Sequence, residues 1–175
     1  MTDARQFNDQ IVGPTLAEFD KEFSCIRRAF LAVAVVDALA AQIYAQAVEN
    51  NINPFDFLGW HEDGDPSYPN DSNFRDRIAE NCTGFRFIFD VAKANKHAVL
   101  TRGKPTVKRA DQVESKPKGF GLGRFGEGRS GGVHQVIIRF DDGEEVYLEH
   151  QILEAHDTLL NLVDLLEQRL LRSAP

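Results

Sequence analysis

The sequence predicts a mainly α-helical protein, a helical bundle of three to four long helices with a β-hairpin inserted before the C-terminal helix. The first observation behind this fold class is periodicity. Apolar residues recur every three or four positions over residues 15–49, 73–99 and 151–172. That spacing is typical of helices with one buried face.

The second observation is a change of period before the last helix. Residues 133–149 alternate apolar and polar side chains on both sides of Asp141-Asp142-Gly143, a tight-turn signal. An isolated hairpin is marginally stable, so we expect it to pack on the helices or to gain a third strand from residues 104–114. We divide the predicted single domain of residues 1–175 into four parts: helical body 15–100, basic Gly-rich loop 101–132, β-hairpin 133–149 and C-terminal helix 151–172.

The bulk composition is that of a globular protein. The chain has 175 residues, of which 42% are hydrophobic, and this length can bury a core without disulfides or metals. The thiols of Cys25 and Cys82 fall in apolar helical patterns, which favours a reducing compartment. The first residues lack the apolar core of a signal peptide, and Asp37 interrupts the most apolar run, residues 30–47. We therefore expect a cytoplasmic protein with no membrane contact.

The first long helix is predicted to begin at Thr15, because Thr15 and Glu18 form a capping-box pattern. Residues 1–13 are then a loose polar arm. A helix reaching residue 49 is long for this domain, so we expect either a kink near Ser24-Cys25 or a helix that spans the whole body. Asp37 is either a carboxylate at a crowded edge or a buried charge with a cationic partner.

The second helical stretch covers residues 73–99, with Ser72 as its predicted cap. Gly84 leaves open whether it is one helix or two. Arg86 and Asp90, four residues apart, are predicted to pair on the surface. Cations crowd the last turn, where the helix dipole favours them. Our hypothesis for the centre of the bundle is that Asp37 of the first helix meets Lys96 or His97 of the second.

The charge distribution is uneven. The net charge is −7, yet residues 93–131 hold ten Lys and Arg against three acids, so this block carries +7 and the rest of the chain −14. The basic block favours an acidic partner or RNA. The residues predicted to contact such a partner or RNA are Arg102, Lys104, Lys108, Arg109, Arg124 and Arg129.

The glycines of the loop include Gly121-x-Gly123-x-x-Gly126, the spacing of dinucleotide-binding turns. In those proteins the motif follows a strand and opens a helix, whereas here it follows a basic loop and precedes a strand. We therefore predict no nucleotide cofactor. The alternatives are an Arg/Gly/Phe segment that grips single-stranded RNA, with Phe120 and Phe125 stacking on bases, and a structural linker.

The C-terminal helix carries a leucine-rich stripe, wide enough to contact several elements or a second subunit. We accordingly expect a homo-oligomer. His150, Glu154 and His156 do not form a zinc set, because the two imidazoles lie on different faces and no third ligand completes them. We predict no metal site, and we place His156 at the edge of the core. The stripe consists of Ile152, His156, Leu159, Val163, Leu166 and Leu170.

The stretch Asp90-Val-Ala-Lys-Ala-Asn95-Lys96-His97 resembles a motif late in the second long helix of uncharacterised bacterial helical-bundle proteins. Some of these are similar to HEPN-type domains of defence and toxin systems. That resemblance implies a helical RNA-binding or RNA-cleaving protein. The chain departs from the HEPN pattern of an Arg followed after four to six residues by a His, since ten residues separate Arg86 from His97. The one literal match, Arg129 to His134, falls in the loop and a strand.

Two functions follow from these observations. The first is a non-enzymatic binding or assembly module. The second is an RNA-directed HEPN-like protein, with His97 as the candidate catalytic acid or base and Lys96, Arg102 and Lys104 on phosphate. The polar cluster that either function would use comprises Asp37, Asp90, Asn95, Lys96 and His97.

Overall fold

The computed structural model describes residues 3–56, 70–97, 99–100, 104–117 and 134–173. The fold is mainly α, with a small antiparallel sheet placed before the C-terminal helix, as predicted from the sequence. Predictions for the Gly-x-Gly-x-x-Gly motif, for Phe120 and Phe125, and for Arg102, Arg124 and Arg129 lie outside the described residues.

The chain is helical from residue 4, so the prediction of a loose N-terminal arm is wrong. Helix α1, Ala4–Phe7, continues through a π-helical turn, Asn8–Val12, into α2, Gly13–Asp20. Ala4 and Val12 are fully buried. Their packing stabilises the helix even though most residues around them are polar. Thr15 is no cap, since its hydroxyl donates to the Ile11 carbonyl. The cap is Asp3, whose carboxylate accepts the Gln6 N–H at 2.6 Å.

Helix α3, Ile26–Glu49, is the central element of the bundle. The expected kink near Ser24-Cys25 is confirmed as a break between Asp20 and Ile26. Helices α1 and α2 pack on α3, as do the three later helices, which explains why its middle is apolar on every side. By length and mean hydropathy (1.6) α3 could also cross a membrane, a test that the core helix of a soluble protein passes as well.

Two helices follow, α4, Asp71–Asn81, and α5, Thr83–His97. The break is at Cys82, whose backbone is extended and whose Sγ accepts the Phe85 N–H at 3.3 Å. The cap of α4 is Asn70 and not Ser72, because the Asn70 side chain accepts the Asn73 N–H. Gly84 lies within α5, where it lets the helix approach α6 closely.

Three strands form the sheet: β1, Val113–Pro117, β2, His134–Arg139, and β3, Glu145–Tyr147. Their order is β1-β2-β3 and both pairings are antiparallel. The hairpin does gain a third strand, but this strand is Val113–Pro117, where residues 104–114 were predicted. The turn is as predicted, with Gly143 at φ 88°, a value that favours glycine. The return strand ends two residues earlier than expected.

Helix α6, Leu148–Ser173, begins directly after β3. Its apolar stripe packs on α3 and α5 of the same chain, and Ile152, Leu159 and Leu166 are almost fully buried. The stripe is therefore covered within the chain. A homo-oligomer through α6 stays a prediction, and the apolar side chains that α6 leaves exposed for it are Leu153, Leu165 and Leu171.

Candidate functional site

Asp37 is a buried charge with a cationic partner. Its side chain is 6% exposed, and both carboxylate oxygens accept from Nη1 of Arg75, at 3.0 and 2.9 Å. Arg75 also bonds Asp71 one turn earlier on α4. Burial alone would lower the pKa of Arg75, but the hydrogen bond to Asp71 and the charge of Asp37 raise it. The partner is therefore Arg75, a residue that the sequence prediction did not name.

The predicted contact from α5 is present only as a longer ion pair. Nζ of Lys96 lies 3.8 Å from Oδ2 of Asp37. Asn95 and His97 are exposed at the end of α5. The polar cluster predicted from the sequence is thus divided, with Lys96 near Asp37 and with Asp90 bound to a different segment.

Asp90 is buried and bound to backbone amides. Its Oδ2 accepts the N–H groups of Thr106, at 2.6 Å, and Val107, at 3.3 Å. Burial raises the pKa of Asp90, and these two bonds together with the charges of Arg86 and Lys93 oppose the rise. The predicted surface pair with Arg86 is wrong, because Asp90 faces inward and satisfies amides that no helix or strand pairs.

The segment after α5, described at residues 99–100 and 104–109, folds back along the helix. Val99 and Arg109 form an antiparallel bridge, and the Leu100 N–H donates to the Lys108 carbonyl at 2.8 Å. Together with the two bonds to Asp90, this bridge positions Lys104 beside α5. The sequence shows no periodicity here, because only two short stretches pair, around Val99 and Arg109. The side chain of Asp90, and not a regular strand, holds the backbone in place.

A cavity of about 110 Å³ lies between α5 and this segment. Arg86 is held at its wall, since Nε donates to the Ala79 carbonyl at 3.2 Å. Lys93 lies over the Phe89 ring, 3.5 Å from the centroid, and 3.7 Å from Asp76. The described residues that line the cavity are Asp76, Arg86, Phe89, Asp90, Lys93, Leu100, Lys104 and Pro105.

Arg86 and Lys104 differ from most cations of the protein. Within the described ranges neither forms a salt bridge, whereas Lys108 and Arg109 both pair with Asp141. A larger cleft of about 330 Å³ next to Arg109 also contains Arg139, Asp111 and Asp141. Its charges cancel, and Lys108 lowers the pKa of Asp141. Of the predicted partner-binding residues that the structure describes, only Lys104 retains an unneutralised charge.

No metal-binding group is formed by the part of the chain that the structure describes, where no three His, Cys, Asp or Glu side chains come together. His150 is exposed, and His156 bonds Asn8, with 2.7 Å between Nε2 and Oδ1. The two histidines therefore serve separate surroundings, as their spacing on the helix predicted.

No protein-family model, curated protein or solved structure matches the chain. The HEPN-type resemblance stays a prediction that depends on the residues from Asp90 to His97.

Proposed function

We propose that the protein is a non-enzymatic binding module whose α5 basic surface, comprising Arg86, Lys93, Lys96 and Lys104, binds an acidic partner. The observation that carries the proposal is that Arg86 and Lys104 line one cavity and form no salt bridge with any described residue. Unneutralised cations beside a concave surface concentrate anions there and accelerate their association.

The cations of the surface are held in position before any ligand arrives. This preorganisation favours a role in binding over a role in fold stability. Asp90 fixes the segment that carries Lys104 through the amides of Thr106 and Val107. The Ala79 carbonyl fixes Arg86. Groups that are already positioned lose little conformational entropy when a ligand arrives, so more of the interaction energy appears as affinity.

The overall charge favours a short acidic segment as the partner over a long polyanion. Outside residues 93–131 the chain carries −14, and this charge repels any polymer that extends beyond the basic surface. A short segment rich in Asp and Glu meets less of this negative charge than a long polymer does. Such a contact weakens with ionic strength because its charges are exposed.

Fluorescence anisotropy with a labelled short polyglutamate peptide tests the proposal. We expect binding at low salt that weakens at moderate salt and is lost in a Lys96→Glu/Lys104→Glu double variant. The matched control is Lys21→Glu/Arg27→Glu, which makes the same charge change at two exposed cations that form no salt bridge within the described ranges. Equal loss in both double variants, or no binding at all, would refute a specific surface.

The HEPN-like alternative is tested with labelled single-stranded RNA. If the protein binds RNA with a steep salt dependence and does not bind polyglutamate, the partner of the basic surface is nucleic acid and not an acidic protein segment. Cleavage on a denaturing gel that disappears in His97→Ala would support the ribonuclease. His97 is exposed at the end of α5, so this substitution leaves the core unchanged.

A further inference from the structure

We infer that the cavity within the α5 basic surface binds a phosphoryl group, specifically the dianion of a phosphate monoester or of free phosphate. This inference rests on the proposed function and names the chemical class of the ligand. It concerns the cavity of about 110 Å³ between α5 and the segment that Asp90 anchors.

The size of the cavity suits a single tetrahedral anion. At about 30 Å³ per water molecule in the liquid, its volume corresponds to roughly four waters. A phosphate, with four oxygens around its phosphorus, fills such a space. Phe89, Leu100 and Pro105 form the apolar part of its wall.

Arg86 provides the geometry that phosphate requires. Its Nε is bound to the Ala79 carbonyl at 3.2 Å, and neither terminal nitrogen of the guanidinium donates to a described residue. A guanidinium fork matches two phosphate oxygens at once. Lys104 adds a point charge from the facing segment, and Lys93 adds a third cation at the wall.

Three cations and two carboxylates line the cavity, so its formal net charge is +1. Asp90 directs Oδ2 at the amides of Thr106 and Val107. Asp76 is exposed and lies 3.7 Å from Nζ of Lys93. Arg86 and Lys104 therefore remain for the ligand.

The count of charges favours a dianion. Coulomb attraction scales with the charge of the ligand, so a monoester dianion gains about twice as much from Arg86 and Lys104 as a carboxylate does. A phosphodiester of a nucleic-acid backbone carries one charge on two non-bridging oxygens, whereas a monoester dianion carries two charges on three. The geometry therefore favours a terminal phosphoryl group over RNA.

The test is a thermal melt of the full chain with inorganic phosphate, against acetate at matched ionic strength. A ligand that binds only the folded state raises the melting temperature in a saturable way. We expect this rise with phosphate and not with acetate. In Lys104→Gln and Arg86→Gln we expect the phosphate affinity to fall about tenfold or more, since each loses a charge-assisted contact. Arg27→Gln, an exposed cation elsewhere, should match the wild type.

Lys104 is exposed and forms no salt bridge within the described ranges, so Lys104→Gln keeps the test decisive even if Arg86→Gln destabilises the fold. A phosphate effect equal to that of acetate, or unchanged in Lys104→Gln, would overturn the inference. Retained polyglutamate binding in that case leaves the proposed function standing, whereas loss of both removes the two together. A phosphoserine peptide that binds more tightly than free phosphate would identify a phosphorylated protein segment as the source of the group, and equal binding would identify the free anion.

Discussion

At the scale of single residues, Asp37 shows how a buried carboxylate is tolerated in an apolar helix. It is 4% exposed, and Arg75 reaches both of its oxygens from α4. Removing water from an ion is costly, and the pair offsets that cost only because the hydrogen bonds are nearly complete. The pair links α3 to α4 more than it adds net stability.

Replacing Asp37 by Asn should therefore destabilise the protein by about 2–3 kcal/mol, because the mostly buried Arg75 then keeps Asp71 as its single anionic partner among the described residues. The change in the free energy of unfolding is measured in a urea melt. The control is Glu80→Gln, which breaks the exposed pair with Arg77 and should cost less than about 0.5 kcal/mol. A cost for Asp37→Asn no larger than this control would show that the charge is not effectively buried.

His156 gives the stability a pH dependence. Burial lowers its pKa from the usual 6.5, with a smaller opposing effect of Asp157. The unfolded chain therefore binds the proton more readily than the folded protein. The stability that depends on neutral His156 is complete above pH 6.5 and is lost as the pH falls through 6.5 toward the lower folded-state pKa.

We expect the urea concentration at half-unfolding of the wild type to decrease when the pH is lowered from about 7.5 to about 5.5. In His156→Gln this decrease should be smaller. Glutamine is the suitable replacement, because its amide can still donate to the Asn8 side chain that His156 contacts. Identical pH profiles for the two proteins would assign the dependence to other groups.

At the scale of elements, Gly84 sets the distance between α5 and α6. A Cβ at this position would lie 2.7 Å from the Gln151 carbonyl oxygen and 2.8 Å from the Glu154 Cβ. Both atoms belong to the main body of α6 and cannot move without shifting that helix. The glycine thus acts through tertiary contact. The helix break that the sequence left open at Gly84 occurs instead at Cys82.

Gly84→Ala should destabilise the protein by about 1–3 kcal/mol through this overlap, although alanine favours a helix by about 1 kcal/mol. The matched control is Gly13→Ala, where the new Cβ meets only the Asn8 carbonyl oxygen at 3.4 Å. That variant should be neutral or more stable. Thermal melts of both proteins give the comparison, and a stabilising Gly84→Ala would contradict the close approach.

At the scale of the whole molecule, the N-terminal helices complete the core. Ala4, Val12 and Phe19 are buried, and Arg5 pairs with Asp164 and Glu167 on α6. These pairs raise the pKa of Arg5. The N-terminal helices are therefore attached to the C-terminal helix α6 through Arg5.

Deleting residues 1–20 should lower the thermal midpoint and broaden the transition, because α3 would expose the apolar surface that the deleted helices cover. The control removes residues 1–2 alone and keeps the Asp3 cap. Differential scanning calorimetry measures both. A deletion protein that melts like the control would mean that the N-terminal helices pack without contributing to the core.

Patterns that repeat along the chain could be predicted from it. The helical stripes of α3, α5 and α6 and the turn at Gly143 were expected where they occur, because the period of buried side chains follows from local backbone geometry. The break near Ser24-Cys25 was an expected alternative. Helix boundaries were predicted less accurately. The residues of α1 are mostly polar, and this helix is stabilised by packing on α3 and by the ion pairs of Arg5 with α6.

The sequence by itself determined the fold class, the main helices, the hairpin turn and the concentration of basic residues after α5. Only the tertiary structure decided that Asp37 pairs with Arg75, that Asp90 holds the amides of Thr106 and Val107, and that Arg86 and Lys104 line one cavity. The physical reason is that periodicity records which face of an element is buried. The partner of a polar side chain depends instead on distances between elements far apart in the chain, which packing alone sets.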